Sequence, residues 1–230
     1  MTITEKTTVA DIASAIPSSV RVFQRYGIDF CCGGKTAVGA ACEARGIPLA
    51  SITAAIEETA AAGAPNERDW NTEPPAALIE HIVKTYHDRL RDDLPRLTSM
   101  AARVADAHGS RDESMRRIGA VVRALADDLF DHMRKEELVL FPAIASLTQG
   151  RVTMSISAPV AVMEHEHDHA GALLEQLSAM TGGYDTQSAR CGTARALFRE
   201  LGELDAMMKV HVHLENNVLF PRALALQRRG

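Results

Sequence analysis

The sequence predicts an all-α protein, with a small helical unit followed by an up-down-up-down four-helix bundle. Three observations carry that prediction. From Pro75 onward, apolar residues recur at helical spacing over long stretches. Aromatics make up 4% of the 230 residues while Ala, Leu, Val and Met are plentiful, which suits closely packed helices. The phrase H-x-x-x-E-x-x-x-L-F-P occurs twice, from His132 to Pro142 and from His211 to Pro221. Residues i and i+4 share a helix face, so each copy points an imidazole and a carboxylate the same way.

The elements follow in order. Thr7 or Thr8 caps a helix over 9–16, and Pro17 suits the first turn of a helix over 18–26 that Gly27 stops. Cys31-Cys32-Gly33-Gly34 forms a tight loop. Helices over 37–45, stopped by Gly46, and over 48–62 complete an N-terminal unit of residues 1–62. Residues 63–74 are polar, contain Pro and Gly, and read as a linker to a bundle over 75–230. Breaks at 108–110, 149–157 and 181–186 divide that bundle into four long helices. Short connections favour antiparallel neighbours.

The repeat is larger than the doubled phrase. The first bundle helix carries His87-Asp88 and the third His167-Asp168. His87 and His132 are 45 residues apart, and His167 and His211 are 44 apart. Each half is therefore a helical hairpin, with a His-Asp on one leg and H-x-x-x-E on the other. The legs to and from the turn near Gly109 are each roughly 33 Å of helix, which brings His87 and His132 to one level. The same count brings His167 level with His211, and the turn near Gly150 aligns the two hairpins. Apolar stripes point these residues inward: Val83, Leu90 and Leu94 beside His87; Leu125, Leu129, Val139 and Leu140 beside His132 and Glu136. Val160, Met163, Ala170, Leu174 and Leu177 flank His167, and Leu204, Met208, Val218 and Leu219 flank His211 and Glu215.

Six ionisable groups in a core would each cost several kcal/mol unless partnered. They either hydrogen-bond one another in a polar layer or hold metal. The twofold pattern of His87, His132, Glu136, His167, His211 and Glu215 favours metal, and four imidazoles with two carboxylates suit iron over calcium or magnesium. With Glu136 and Glu215 bridging two irons and an oxo or hydroxo bridge between them, one position per iron stays open for O2, NO or peroxide. His165 and His169 fall on the opposite side of their helix, and His213 points away from His211. His81 is ambiguous. His108 lies about 30 Å from His87 along a continuous helix and is excluded unless Pro95 breaks that helix.

These residues carry a resemblance. The bundle is similar to a hemerythrin-like domain, and the whole chain resembles the iron–sulfur cluster repair di-iron proteins of the Ric or YtfE/ScdA type. The matching segments are Asp29-Phe-Cys31-Cys32-Gly33-Gly34, Tyr86-His87-Asp88, His132-x-x-x-Glu136, Glu166-His167-Asp168 and His211-x-x-x-Glu215-Asn-Asn-Val-Leu-Phe-Pro-Arg222. The resemblance implies a cytoplasmic stress-response protein with a non-haem di-iron centre on the six residues above, reaction with NO, and damaged iron–sulfur proteins as clients that receive iron. Oxygen-carrying hemerythrins have a second His one turn along the third helix. Met163 and Gly171 stand at those positions here, which counts against a simple O2 carrier. A hemerythrin-like sensor or binding protein, and an NO- or peroxide-reducing redox enzyme, are the alternative readings.

Adjacent Cys31 and Cys32 would form a strained disulfide. They read either as accessible redox or iron-handling thiols, with Lys35 and the next helix start lowering a pKa, or as small residues packed at a turn. Bundle entry is roughly 18 Å of helix from His87, so the N-terminal unit attaches near the metal level and could place these thiols over the site. Cys42 and Cys191 carry no expected role. A net charge of -5 without a long basic run makes nucleic acid and anionic membranes poor partners. No apolar run is long enough to span a bilayer, no signal-peptide pattern opens the chain, and four cysteines in a chain this long do not read as a disulfide scaffold, so a reducing cytoplasm is expected. A monomer or homodimer is expected.

Overall fold

The structure is a computed structural model that describes residues 1–62 and 68–229. Helices α1 (Val9–Ala15), α2 (Ser19–Arg25), α3 (Val38–Glu43) and α4 (Leu49–Ala62) form the N-terminal unit. Thr8 caps α1, its hydroxyl accepting from Asp11 N at 3.1 Å. Pro17 falls in the turn before α2 rather than in its first turn. Gly27 and Gly46 end α2 and the turn after α3 with φ of 65° and 64°, where a side chain would be strained. Ile12, Phe23, Phe30, Ile52 and Ile56 form this unit's core.

Four antiparallel rods make the bundle. The first runs α5 (Pro75–Ile82), a π-helical turn (Val83–His87) and α6 (Asp88–His108). The second runs α7 (Glu113–Lys135), a π turn (Glu136–Leu140) and α8 (Phe141–Thr148). The third is α9 (Ser157–Met180), and the fourth runs α10 (Gly192–His213), a π turn (Leu214–Leu219) and α11 (Phe220–Gln227). The fourth rod starts later than the sequence suggests. Gly182, Gly183 and Tyr184 all take positive φ, and Tyr184 folds back to donate its hydroxyl to Leu174 O at 2.9 Å. Cys191 then has a use: its sulfur caps α10 by accepting from Ala194 N. Helix α6 continues through Pro95, so His108 ends at the far turn. Among the described residues, no helix is long and apolar enough to cross a membrane.

The bundle core is two apolar clusters with a polar layer between them. Leu90, Leu94, Leu125, Leu129, Leu174, Leu201 and Met208 lie on one side. Leu78, Ile82, Leu140, Ile144, Val160, Met163, Leu219 and Phe220 lie on the other. The N-terminal unit docks on the fourth rod. Gln24 donates to Ala206 O at 2.9 Å, and Asn217 Nδ2 donates to Phe30 O and Cys31 O at 3.1 and 3.2 Å. Residues 63–67 of the expected linker lie outside the described residues. Residues 68–74 are pinned: Asn71 donates to Ser14 O, and Arg222 donates to Trp70 O and Glu73 O.

Candidate metal centre

The polar layer consists of His87, His132, Glu136, His167, His211 and Glu215, none more than 3% exposed. Three of the four rods reach it through π turns, which begin at Glu136, end at His87 and enclose Glu215. A π turn inserts an extra residue and resets which side chains face inward. In the second rod this turns Val139, expected in the core, outward to 46% exposure, while Leu140 and Phe141 take the inward places. In the first rod Val83 is only half-buried, and the consecutive Tyr86 and His87 are both buried.

The six side chains make two sets. Ligand atoms of His87, Glu136, His211 and Glu215 lie within 4.8 Å of one another, as do those of His132, Glu136, His167 and Glu215. Both sets share the two carboxylates. His132 and His167 Nε2 approach to 3.0 Å, and His87 and His211 Nε2 to 3.3 Å. Glu215 reaches His211 Nε2 at 2.9 Å and His167 Nε2 at 3.2 Å, and Glu136 lies 3.4 Å from both His87 and His132 Nε2.

A closed hydrogen-bonded layer would satisfy these atoms, and it does not. Both oxygens of Glu136 and Oε2 of Glu215 are buried without a hydrogen-bond partner. Four imidazole edges and orphaned carboxylate oxygens converging on two points fit a pair of cations. The electrostatics agree. Burial pulls the His132 imidazole down, but Glu136, Glu215 and Glu166 outweigh it and push it up to about 9. Burial and Glu215 raise the Glu136 carboxyl, yet His132 and His87 hold it below the usual range; Glu215 is held well below by His211 and His167 against its own burial. The pocket thus stabilises two carboxylate charges and calls for positive charge beside them.

Outer contacts orient the imidazoles. His87 Nδ1 bonds Glu137 at 2.7 Å, His132 Nδ1 bonds Glu166 at 2.9 Å, and His167 Nδ1 bonds Asn216 at 2.8 Å. When each Nδ1–H donates outward, the Nε2 lone pair is left facing the layer. Lys135 and Arg91 hold the two carboxylates in turn. The sequence assigns no role to Glu137, Glu166 or Asn216, although Glu166 and Asn216 lie in the segments that carry the resemblance. Their signal was position: Glu137 and Asn216 each follow a shared carboxylate, and Glu166 precedes His167.

The remaining histidines stay out of the layer. His165 and His169 are exposed, His169 pairing with Asp128 at 3.3 Å. His81 bonds Thr85 and stacks on Trp70. His213 faces away from the layer as expected, yet it is buried against the N-terminal unit, its Nδ1 3.3 Å from Phe30 O. Burial pushes it down to about 4 against the raising effect of that carbonyl.

The cysteine loop is ordered by Asp29, whose carboxylate accepts from Cys31 N, Cys32 N and Gly33 N at 2.9, 3.2 and 2.8 Å. A Cβ at Gly34 would lie 2.8 Å from Phe30 O, so the turn requires glycine there. Both thiols are free. Cys31 is buried rather than accessible, and no cation lowers it: the Cys32 thiol, burial and Asp29 all push it up. Cys32 is half-buried and donates toward His167 O at 3.9 Å. A cavity of about 250 Å³ between this loop and α9 is lined by Cys31, Cys32, His167, Gly171 and Met208.

Comparison with known proteins agrees with this layout. Residues 78–223 match the family described as the hemerythrin HHE cation binding domain, and residues 5–60 match the ScdA_N domain, described as of unknown function. The chain is 38% identical to the iron-sulfur cluster repair protein YtfE of Musicola paradisiaca, over 94% of this chain and 95% of that protein. It is 40% identical to the protein of the same name from Cronobacter sakazakii, over 94% and 96%. Against the one from Pectobacterium atrosepticum it is 37% identical over 94% and 96%.

Proposed function

The chain belongs to the hemerythrin HHE cation binding family, in its iron–sulfur cluster repair branch, and we propose that it restores iron–sulfur clusters damaged by nitrosative or oxidative stress. The observation that carries this reading is the shared pair of buried carboxylates, each belonging to both four-residue sets and left with unpartnered oxygens. Two non-haem iron ions would be the cofactor. His87 and His211 would hold one, His132 and His167 the other, and Glu136 and Glu215 would serve both. When bound, the pair supplies one-electron redox chemistry and open positions for NO, O2 or peroxide.

The protein's own residues do the rest. Glu137, Glu166 and Asn216 fix the imidazole tautomers, and the apolar clusters above and below exclude water from the layer. Residues 1–62 act as a separate unit that carries the thiols, 63–74 as the connection, and 75–230 as the iron-holding bundle. Cys32, beside His167 at the wall of the bundle, is the thiol that meets iron on its way to a client cluster. Cys31 keeps its proton and supports the loop. Damaged iron–sulfur proteins of the cytoplasm are the clients. Metal analysis and spectroscopy of anaerobically purified protein, before and after NO, test the reading: two irons per chain and an NO-sensitive spectrum are expected. Fewer than two irons, with His132→Ala and His211→Ala changing nothing, would defeat it. Full repair activity in a Cys31→Ala/Cys32→Ala protein would remove the thiols from it.

A further inference from the structure

The four inward histidines are not supported alike. Most outer contacts obey the duplication. Glu137 and Asn216 each follow a shared carboxylate and reach an imidazole of the other leg's level. Phe141 and Phe220 lie nearly parallel to His87 and His167, at 5.8 and 6.2 Å. The residue preceding the first histidine of each half breaks the match. Glu166 there bonds His132 Nδ1. Its counterpart Tyr86 instead lays its ring parallel to His211, at 5.1 Å and 5°, and His211 Nδ1 has no hydrogen-bond partner among the described residues.

The rings then continue outward. Tyr86 meets His81 edge-on at 5.6 Å, and His81 stacks on Trp70 at 4.4 Å. Phe141 and Phe220 end inside the core. The series from Tyr86 to Trp70 ends in a cleft of about 820 Å³ between the bundle and the N-terminal unit. Besides these three rings the cleft wall carries Arg21, Arg68 and Lys84 against Glu80, so its charge is net positive. Arg68 lies over the Trp70 ring at 5.6 Å.

We infer that this cleft is an electron-entry site, where a planar anionic reductant of the dihydroflavin class docks on Trp70 and passes electrons through His81 and Tyr86 to His211. The inference rests on the iron-centre reading above. The cleft has the size of a small-molecule site, and Trp70, stacked on His81 and carrying Arg68 over its ring, gives a planar heterocycle a ring to stack on once the Arg68 guanidinium turns to a phosphate tail. A relay of rings carries single electrons and not hydride, which selects a flavin over a dihydronicotinamide. The balance closes: each dihydroflavin loses two electrons and its two ring protons and becomes oxidised flavin. One electron passes to each of two ferric ions, giving two ferrous ions, and the protons leave to water at the cleft. No bond to the protein forms or breaks.

Two measurements test it. In metal-free protein, flavin mononucleotide is expected to quench the fluorescence of Trp70, the only tryptophan. Arg68→Ala is expected to weaken that binding by roughly tenfold, the worth of one charge-assisted hydrogen bond. In iron-loaded protein, loss of the ferric absorbance is followed with reduced flavin mononucleotide and, separately, with dithionite. Tyr86→Leu and Trp70→Leu are expected to slow the flavin reaction and leave the dithionite reaction and iron content unchanged. No flavin binding by the metal-free wild type, or an unslowed flavin reaction in both variants, would overturn the inference. So would equal slowing with both reductants, which means damage to the centre. A wild-type chain that takes up no iron would defeat the iron reading and the electron route with it, while the titration of metal-free protein decides separately on the cleft.

Discussion

Removing the Glu166 carboxylate should loosen one metal and spare the other. Glu166 holds His132 Nδ1 at 2.9 Å, while its other oxygen meets Lys135, an exposed partner. It is 26% exposed on its side chain, so Glu166→Ala should cost the fold no more than a surface pair, up to about 1 kcal/mol. Loss of an outer partner of a metal-binding histidine typically weakens metal affinity by about 10- to 100-fold, or about 1.4–2.7 kcal/mol. The effect should stay in the His132/His167 set, because His87 keeps Glu137 and no contact links Glu166 to His211. Anaerobic competition of the ferrous protein against a chromophoric chelator reads this directly. One equivalent should transfer at about 10- to 100-fold lower chelator concentration than in wild type, and the second should be unchanged. Glu166→Gln, which keeps an acceptor without the charge, should fall between. Equal loosening of both equivalents, or no change in either, would refute the idea that this carboxylate braces a metal-bound imidazole.

Other substitutions probe the shared carboxylate, the docked unit and the thiols. Glu136→Gln should lower uptake of both equivalents, since Glu136 belongs to both sets and the amide removes the charge they share; metal analysis of the anaerobically loaded variant checks it. His213 titrates near 4 in the folded chain against about 6.5 unfolded, so the unfolded state binds the proton first. Its contribution to stability is complete above pH 6.5, is lost as pH falls from 6.5 toward 4, and reaches about 3 kcal/mol. Denaturation of metal-free wild type and His213→Asn across that window should show the steeper loss in wild type. Brief alkylation of native protein at pH 8 should label Cys32 and leave the buried, upward-shifted Cys31 unmodified by mass spectrometry; prior labelling of Cys31 would contradict its place beneath the loop.

What the sequence made legible followed from two periodicities. Helical spacing located the four rods, and the duplicated hairpin located the six inward groups, because level and facing depend only on residue counts along regular helices. Regularity also marks where the reading fell short. Regular α-helical spacing puts Val139 inward, and the π turn from Glu136 to Leu140 rotates it out. The same spacing turns His213 away from the layer, but its burial depends on the N-terminal unit docking there, and a helix-by-helix count contains no partner surface. At the cysteine loop the expected lowering by Lys35 is absent from Cys31: the Cys32 thiol and burial push that thiol up, and Asp29, two residues before it, orders the loop and adds to the rise.

The duplication is most informative where it fails. Asn217 of the second copy clamps the cysteine loop, while its counterpart Leu138 is 66% exposed and holds nothing. Tyr86 stands where the other half has Glu166. Both departures lie on the side where residues 1–62 and 68–73 cover the bundle, and both connect the polar layer to that cover, one toward the thiols and one toward the cleft. A symmetric pair of sites would need neither. The cover therefore meets a twofold layer asymmetrically: Cys32 lies beside His167, and Tyr86 against His211. If that division holds, Asn217→Ala should free the cysteine loop, seen as faster amide exchange over residues 29–34, while leaving flavin-driven reduction through Tyr86 unchanged. Loss of both together would show that the two approaches are one.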